Sequence, residues 1–200
     1  MGSTLGIILT GGAGRRMGGR KLERRLPGGV RLLDAAAATL RAAGPDAVLA
    51  VGRPPGDSVG VPAGSPDALE TTSGPLPVIP DQRPGAGPLA GLDAGLAAAR
   101  ARGASRLLVI PCDMPWLDAK DLRRLAGHVA PLVHPSTGGL PLAADVTPEL
   151  AAAVRAALDA GRRRLRDLLA AEGAVVVPVT GDAAARHANV NRPEDLTRGR

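Results

Sequence analysis

The stretch IILTGGAGRRMGG, residues 7–19, is the most informative part of this chain. It begins with an apolar run that is short enough to be a buried strand of a parallel sheet. The run ends in glycines, which let a backbone turn sharply and approach a ligand closely. Backbone N–H groups in such a turn can form an anion-binding concavity, and the planar guanidinium groups of the arginines that follow bind phosphate. A strand that leads into this combination predicts a site for the phosphates of a nucleotide.

Two well-known glycine loops do not fit this stretch. In a P-loop, the glycine at the position of Gly19 is followed by Lys and then Ser or Thr, whereas this chain continues with Arg20 and Lys21. The dinucleotide-binding fingerprint has a third glycine where this chain has Met17, and no acidic residue closes the next strand. A different kind of glycine loop is therefore expected.

The composition favours one α/β domain with an aliphatic core. A chain of 200 residues is long enough to bury a substantial core. Phe and Tyr are absent and Trp116 is the one aromatic residue, so the core must be built from Ala, Val, Leu and Ile. Neither an apolar run long enough for a membrane span nor a secretory signal is visible. The single Cys112 cannot form an internal disulfide and fits a reducing cytosol, so a cytoplasmic protein is expected.

The formal net charge of +6 favours anionic partners. A small phosphorylated substrate accounts for this charge, as does an arginine-rich solvated surface. Nucleic acid is less favoured, because single-strand binders usually stack bases on aromatic side chains. The basic residues are also scattered, apart from the run at 162–166.

Strand-like apolar runs alternate with helical patterns, which predicts an α/β fold with a mostly parallel central sheet and helices on both faces. Asp118 and Thr147 are expected to cap two of the helices. The expected strands are residues 5–9, 47–51, 78–79, 106–110 and 174–179, and the expected helices are residues 32–43, 91–102, 119–125, 148–160 and 163–172. The Pro-, Gly- and Ser-rich stretch 53–77 is too long for an ordinary loop, and we expect a flexible insertion there, with a mobile substrate lid as the alternative.

Three later segments carry polar residues that can bind a phosphorylated ligand. Asp113 follows the predicted strand 106–110, at the carboxyl end where open α/β sheets bind ligands. A carboxylate there can hold Mg²⁺, which typically takes one or two carboxylates together with substrate phosphates. Asp81 also follows a predicted strand, and the amides of segment 189–191 can complete a metal shell. Each of these residues is equally well explained, taken alone, as a turn or capping residue.

The motifs taken together in their order resemble the molybdenum-cofactor guanylyltransferase family, a group of nucleotidyltransferases with a Rossmann-like fold. The resemblance runs from residue 5 to about residue 197. It is carried by LTGGAGRRMGG (9–19), Asp81, GPLAG (87–91), CDMP (112–115) and NVNRPEDL (189–196). It implies one three-layer nucleotidyltransferase domain over residues 1–200.

The resemblance also implies an activity and a site. The activity is the Mg²⁺-dependent transfer of GMP from GTP to molybdopterin that carries molybdenum, with release of pyrophosphate. Arg16, Lys21 and Asp113 would be catalytic, and Asp81 would contact the guanosine. The residues implied in nucleotide binding are Leu9, Thr10, Gly11, Gly12, Arg16, Lys21, Asp81 and Asp113, and those implied in metal binding are Asp113, Asn189 and Asn191. The implied partners are GTP, molybdopterin and other cofactor-maturation proteins, with no nucleic acid and no membrane.

This chain departs from the family pattern at two positions. Thr10 stands where the family usually has alanine, which adds a hydroxyl near the expected base site. The family has Gly-Gly-x-Asp-Lys, whereas Arg20 and Lys21 follow the glycines here, so the aspartate is missing and the lysine falls one residue early. Lys21 has a long, flexible side chain that can still reach the phosphates.

Other functions remain open at the level of the sequence. A cytidylyltransferase that acts on the same pterin, or a transferase that acts on a sugar phosphate, would use the same chemistry. The displaced lysine also permits a nucleotide-binding chaperone or regulator that has lost catalysis. The basic segment 161–164 is expected either to receive the phosphate of the pterin or to be a solvated helix face.

Overall fold

A mostly parallel β-sheet forms the centre of the protein. The computed structural model describes residues 2–11, 21–52 and 68–197. The strands in this part of the chain are β1 (Thr4–Leu9), β2 (Ala47–Val51), β3 (Ala68–Leu69), β4 (Leu76–Ile79), β5 (Arg106–Pro111), β6 (Leu132–Pro135), β7 (Leu142–Asp145) and β8 (Val175–Val177). Their order across the sheet is β3-β4-β2-β1-β5-β7-β6-β8. β3 and β7 run antiparallel to their neighbours, and the other pairings are parallel.

Helices cover both faces of the sheet. They are α1 (Leu32–Ala43), α2 (Pro88–Ala101), α3 (Ala119–Ala126), α4 (Pro148–Asp159), α5 (Leu165–Ala171) and α6 (Asp182–Arg186), with 3₁₀ turns at Lys21–Glu23 and Pro193–Thr197. α1 and α3 pack on one face, and α2, α4 and α5 pack on the other. Among the described residues, no helix combines the length and the apolar character that crossing a bilayer would require.

The course of the chain places a crevice at the carboxyl ends of β1 and β5. From the central β1 the chain moves to one side through β2 and β4, and it then returns to β5 on the other side of β1. Open α/β sheets bind ligands at such a switch point. We therefore expect a ligand to bind at the segments that follow β1 and β5.

Small residues let α2 lie close to the central strand. A Cβ atom added at Gly91 would lie 2.5 Å from Leu9 Cδ2, and one added at Gly95 would lie 3.2 Å from Ile7 Cγ1. Both β1 side chains are buried in the core on the α2 face. The close approach of α2 helps an aliphatic core to reach a protein's normal packing density without large aromatic side chains.

The structure confirms most of the predicted elements. The helix at 32–43 and the strand at 47–51 have the predicted bounds. Asp118 and Thr147 are N-caps, since their side chains accept hydrogen bonds from the backbone N–H groups of Lys120 and Leu150 respectively. The short elements β6, β7 and α6 were not predicted.

The prediction of a flexible loop over 53–77 needs a correction for its second half. Residues 68–77 contain β3 and the first half of β4, which form an antiparallel pair. Helix α1 holds the connection between them, because Asp34 Oδ1 accepts the N–H of Thr72 at 2.9 Å. Arg41 Nη2 also donates to the carbonyl of Pro75 at 2.8 Å. Residues 53–67 lie outside the described part, so the prediction for them is untested.

Candidate functional site

Asp113 and Lys21 meet at the carboxyl edge of the sheet. Asp113 lies just beyond β5, where the N–H of Cys112 still donates to the carbonyl of Leu9 at 3.1 Å. Lys21 Nζ lies 2.7 Å from Asp113 Oδ2, and their side chains are only 18% and 16% exposed. The lysine that falls one residue early in the sequence therefore reaches the carboxylate in the fold. When ligands bind, the ammonium group can pair with a phosphate and the carboxylate can pair with a metal ion.

The segment 189–191 approaches the same carboxylate. Asn189 Nδ2 donates to Asp113 Oδ1 at 3.4 Å, and the N–H of Val190 donates to the Asp113 carbonyl at 2.7 Å. Lys21, Asp113 and Asn189 are thus brought together from positions far apart in the sequence. Asn191 follows directly in the same segment.

A small apolar cluster holds this segment in place. Val190 and Leu32 are fully buried against each other, and partly buried apolar side chains pack around them. These surrounding residues are Leu26, Trp116 and Leu196. Because Leu32 begins α1 and Trp116 follows the Asp113 loop, the cluster ties the amide-bearing segment to both sides of the crevice.

Asp195 supports the segment 189–191 of the candidate site, and the sequence analysis did not assign a role to it. It is 6% exposed, and its Oδ2 accepts the N–H groups of Asn191 at 3.0 Å and Arg192 at 2.9 Å. The signal that could have found it is the acidic residue four positions after Asn191. Such a spacing permits the carboxylate to cap the turn that its own segment forms.

Thr10 connects the end of β1 to the end of β2. Its hydroxyl lies 2.7 Å from the carbonyl of Gly52 and 3.0 Å from that of Val51. The hydroxyl proton is therefore directed to β2. Gly52 has φ = +99°, and a Cβ there would lie 3.0 Å from the backbone nitrogen of Gly11. The turn after β1 thus rests directly on the turn after β2.

Asp81 lies beyond β4 at the same edge of the sheet. Its Oδ1 accepts the N–H of Arg83 at 2.8 Å, so the carboxylate shapes a local turn. Since β4 and β5 are three strand spacings apart, the two strand ends are separated by roughly 14 Å. That separation suits an extended nucleotide with its nucleoside near Asp81 and its phosphates near Asp113.

The basic segment 161–164 contacts the loop that precedes α2. Arg163 Nη1 donates to the carbonyl of Gly85 at 3.0 Å, and Arg83 Nη1 lies 2.6 Å from Asp159 Oδ1. The first contact gives Arg163 a structural role at that loop, and the second joins the loop to the end of α4. They leave the predicted contact with the pterin untested.

Gly12 and Arg16 lie outside the described residues. Their expected contacts with the nucleotide and the triphosphate are therefore predictions that the geometry does not test. Leu9 is buried at the end of β1, whereas Gly11 is exposed.

The donor set at Asp113 fits Mg²⁺ that shares its shell with substrate phosphates. Within residues 2–11, 21–52 and 68–197, no group of three or more His, Cys, Asp or Glu side chains could hold a metal ion by itself. One carboxylate with a neighbouring amide remains, and Mg²⁺ commonly uses only one or two carboxylates plus phosphate oxygens and water. Asn189 can offer its amide oxygen after a half-turn of the side chain.

Cys112 is not suited to act as a nucleophile. It is buried in the core below the Asp113 loop. Burial, followed by the nearby Asp113 charge, raises the pKa of the thiol to about 12. Because the thiolate is the reactive form, the thiol stays neutral and inert at ordinary pH.

Comparisons with known proteins identify a family. Residues 6–177 match the sequence profile described as a MobA-like NTP transferase domain. The chain is 36% identical to a probable molybdenum cofactor guanylyltransferase of Opitutus terrae, over 98% of this chain and 94% of that protein. It is 35% identical to a molybdenum cofactor guanylyltransferase of Cereibacter sphaeroides, over 96% of this chain and 93% of that protein.

A solved structure supports the same fold. Molybdopterin-guanine dinucleotide biosynthesis protein A from Archaeoglobus fulgidus superposes with a TM-score of 0.70. The superposition covers 98% of this chain and 96% of that chain, at 22% identity. At this identity the likeness concerns the fold alone.

Proposed function

The chain belongs to the MobA-like NTP transferase family and is a nucleotidyltransferase, and we propose that it transfers GMP from GTP to molybdopterin that carries molybdenum. The observation that carries this proposal is the meeting of Lys21, Asp113 and Asn189 at the switch point of the sheet. Support for the acceptor comes from the relatives that are named molybdenum cofactor guanylyltransferases.

In the proposed reaction, one phosphate attacks another. An oxygen of the terminal phosphate of the pterin forms a bond to the α-phosphorus of GTP. The bond from that phosphorus to the bridging oxygen of the β-phosphate breaks, and pyrophosphate leaves with the electron pair. Because both reactants are anions, catalysis consists mainly of positioning and charge neutralisation. No protein nucleophile is required, in keeping with the neutral thiol of Cys112.

Each residue of the proposed site has a specific task. Asp113 and Asn189 would hold Mg²⁺, which would neutralise phosphate charge when it is bound. Lys21 would then donate from its ammonium group to a phosphate oxygen. Asn191 would support the metal or a substrate phosphate, and Arg16 would lie near the triphosphate.

The proposed nucleotide lies along the carboxyl edge of the sheet. Its nucleoside would lie between the turn after β1 and Asp81, and its phosphates would extend towards Asp113. One oxygen of Asp81 already accepts the N–H of Arg83, which fixes the direction of the carboxylate. A carboxylate is complementary to a ligand edge that carries N–H donors, such as that of guanine.

The strongest alternative is CTP as the donor to the same pterin. The observation that keeps it open is Thr10, which stands at the position where the family usually has alanine. Its hydroxyl contacts the carbonyl groups that end β2, next to the turn that would border the proposed base site.

Pyrophosphate release tests both candidates. The wild-type protein should release pyrophosphate with GTP only when molybdopterin and Mg²⁺ are present, and CTP should give much slower release. Asp113→Ala should lower the rate at least about 100-fold, because it removes a charge that organises the transition state. Glu172→Ala is the matched control, since this exposed carboxylate ends α5 far from the crevice.

Two results would contradict the proposal. Release with CTP that exceeds release with GTP would assign the enzyme to the cytidylyl class. An Asp113→Ala variant that is folded and as active as the wild type would remove Asp113 from the site.

A further inference from the structure

Asp195 is a buried carboxylate in a turn that is otherwise exposed to solvent. Residues 191–194 and Thr197 are exposed, whereas Asp195 is only 6% exposed. Burying a carboxylate costs free energy unless hydrogen bonds compensate for the lost water. A buried acid at the end of a surface turn therefore indicates that its hydrogen bonds hold a particular part of the backbone in place.

The bonds of Asp195 hold the backbone of the amide-bearing segment. Its Oδ2 accepts two successive N–H groups, those of Asn191 at 3.0 Å and Arg192 at 2.9 Å. Hydrogen bonds to an ionised carboxylate are about twice as strong as those between neutral groups. Two bonds to one oxygen fix the orientation of the two peptides on either side of Asn191.

The segment is consequently held at two points. Val190 is fixed by its buried side chain and by its N–H bond of 2.7 Å to the carbonyl of Asp113. That anchor sets the position of Asn189 but leaves the next peptide free to rotate. Asp195 supplies the second anchor, which sets the direction of Asn191.

We propose that Asp195 is a positioning residue of the transferase site, which acts through the backbone of Asn191 and does not touch the substrate. Its carboxylate holds the backbone of Asn191 and thereby limits the positions that the side-chain amide of Asn191 can take while the phosphates react. This inference rests on the proposed function, since that function gives the amide of Asn191 its task. A displacement of about 1 Å at a reacting centre can lower a rate about 100-fold, so a rigid backbone anchor has a direct catalytic value.

Kinetics of matched variants test the inference. Asp195→Ala should lower kcat for pyrophosphate release about 10-fold or more, with KM for GTP changed less than about two-fold. Asp195→Asn should retain most of the activity, because one amide oxygen can still accept both N–H groups. Glu194→Ala is the control, since it removes an exposed carboxylate from the same turn.

A double-mutant cycle separates positioning from general stability. If Asp195 acts through Asn191, Asp195→Ala should cost less than about two-fold in a protein that already carries Asn191→Ala. Losses that multiply in the double variant would overturn the proposal, because they would mean that the two residues act independently.

Hydrogen exchange of two amides provides a readout that does not depend on activity. In the wild type the amides of Asn191 and Arg192 should exchange slowly, and Asp195→Ala should accelerate both by about 10-fold or more. Faster exchange without a loss of kcat would make Asp195 a turn cap only and would overturn the proposal. Unchanged exchange would also overturn it.

Two further measurements keep the test decisive. If Asp195→Ala does not fold, Asp195→Ser replaces it, because a hydroxyl is one bond too short to keep both hydrogen bonds and should give the same effects in milder form. A folded wild type that releases no pyrophosphate with any nucleoside triphosphate overturns the proposed function itself. Slow exchange at both amides would show in that case that the anchoring geometry is nonetheless correct.

Discussion

At the scale of single residues, Lys21 and Asp113 compensate each other's charge before any ligand is present. Both side chains are more than four-fifths buried and lie 2.7 Å apart. A phosphate and a divalent cation can replace this pairing with two others, in which the ammonium meets phosphate and the carboxylate meets metal. In the free protein, the pairing therefore offsets much of the free energy that is needed to bury these two charges.

Replacement of Lys21 should remove catalysis without unfolding the protein. Lys21→Met keeps most of the length of the side chain but loses the cation, so kcat/KM should fall about 100-fold. The free energy of unfolding should fall by about 1–2 kcal/mol, because Asp113 loses its cation but keeps the N–H donor of Asn189. Pyrophosphate release and chemical denaturation measure the two effects. Lys120→Met provides the matched control on an exposed lysine, and equal rates for the two variants would refute a role for Lys21.

The sequence could predict part of the site but not all of it. Lys21, Asp113 and Asn189 follow from motifs, since each lies in a short pattern with a recognisable chemical type. Gly52 could not be found in this way, and Asp195 was visible only as an acidic residue within the motif at 189–196. Their roles depend on the fold of the last turn and on the pairing of β1 with β2, and single-residue patterns do not reveal such contacts.

At the scale of secondary-structure elements, Thr10 fastens the carboxyl ends of β1 and β2 together. Parallel strands lose their regular hydrogen bonds where they end, and the hydroxyl continues the pairing by one step through Val51 and Gly52. The position at which the glycine turn of the opening motif begins is therefore fixed.

Loss of this hydroxyl should weaken the fold more than it changes the choice of nucleotide. Thr10→Val keeps the shape but leaves the carbonyl of Gly52 without this donor, so the free energy of unfolding should fall by about 1–2 kcal/mol. The ratio of GTP to CTP turnover should stay within about two-fold, because the hydroxyl proton faces β2. Chemical denaturation and competition assays check both expectations. A large change in nucleotide preference would show that the hydroxyl reads the base.

Long, regular elements were predictable from the sequence, whereas the short strands β6 and β7 were not. Helix α1 has a clear apolar periodicity and ends at Gly44 in the left-handed conformation. Strands β6 and β7 have four residues each, which is too short for a periodic signal. Their existence depends on pairing with β5 and β8, and this pairing is a property of the assembled sheet.

At the scale of the whole molecule, His187 links the last helix to the body of the protein. Its Nδ1 lies 3.1 Å from Thr137 Oγ1, and its Nε2 lies 4.0 Å from Asp121 Oδ2. The side chain is only 1% exposed. Burial lowers the pKa of His187 below its ordinary value of 6.5, although the Asp121 carboxylate opposes this change.

The global stability should therefore decline in mildly acidic solution. Below about pH 6.5 the unfolded chain binds a proton at His187 that the folded chain does not, so the free energy of unfolding falls by at most about 1.4 kcal/mol for each pH unit. The decline ends once the pH passes below the folded pKa. Denaturation curves between pH 7.5 and pH 5 should show this slope, and His187→Gln should flatten it. If the slope persists in His187→Gln, other titratable groups cause it. His128→Gln is the matched control.

The aromatic composition has an optical consequence. With one tryptophan and neither tyrosine nor phenylalanine, the ultraviolet emission of the protein comes from one indole. That indole is half-buried in the cluster with Val190 and Leu32, beside the segment whose amides would meet phosphates and metal. The chain thus contains its own fluorophore, and a titration with nucleotide can be followed on the unlabelled protein.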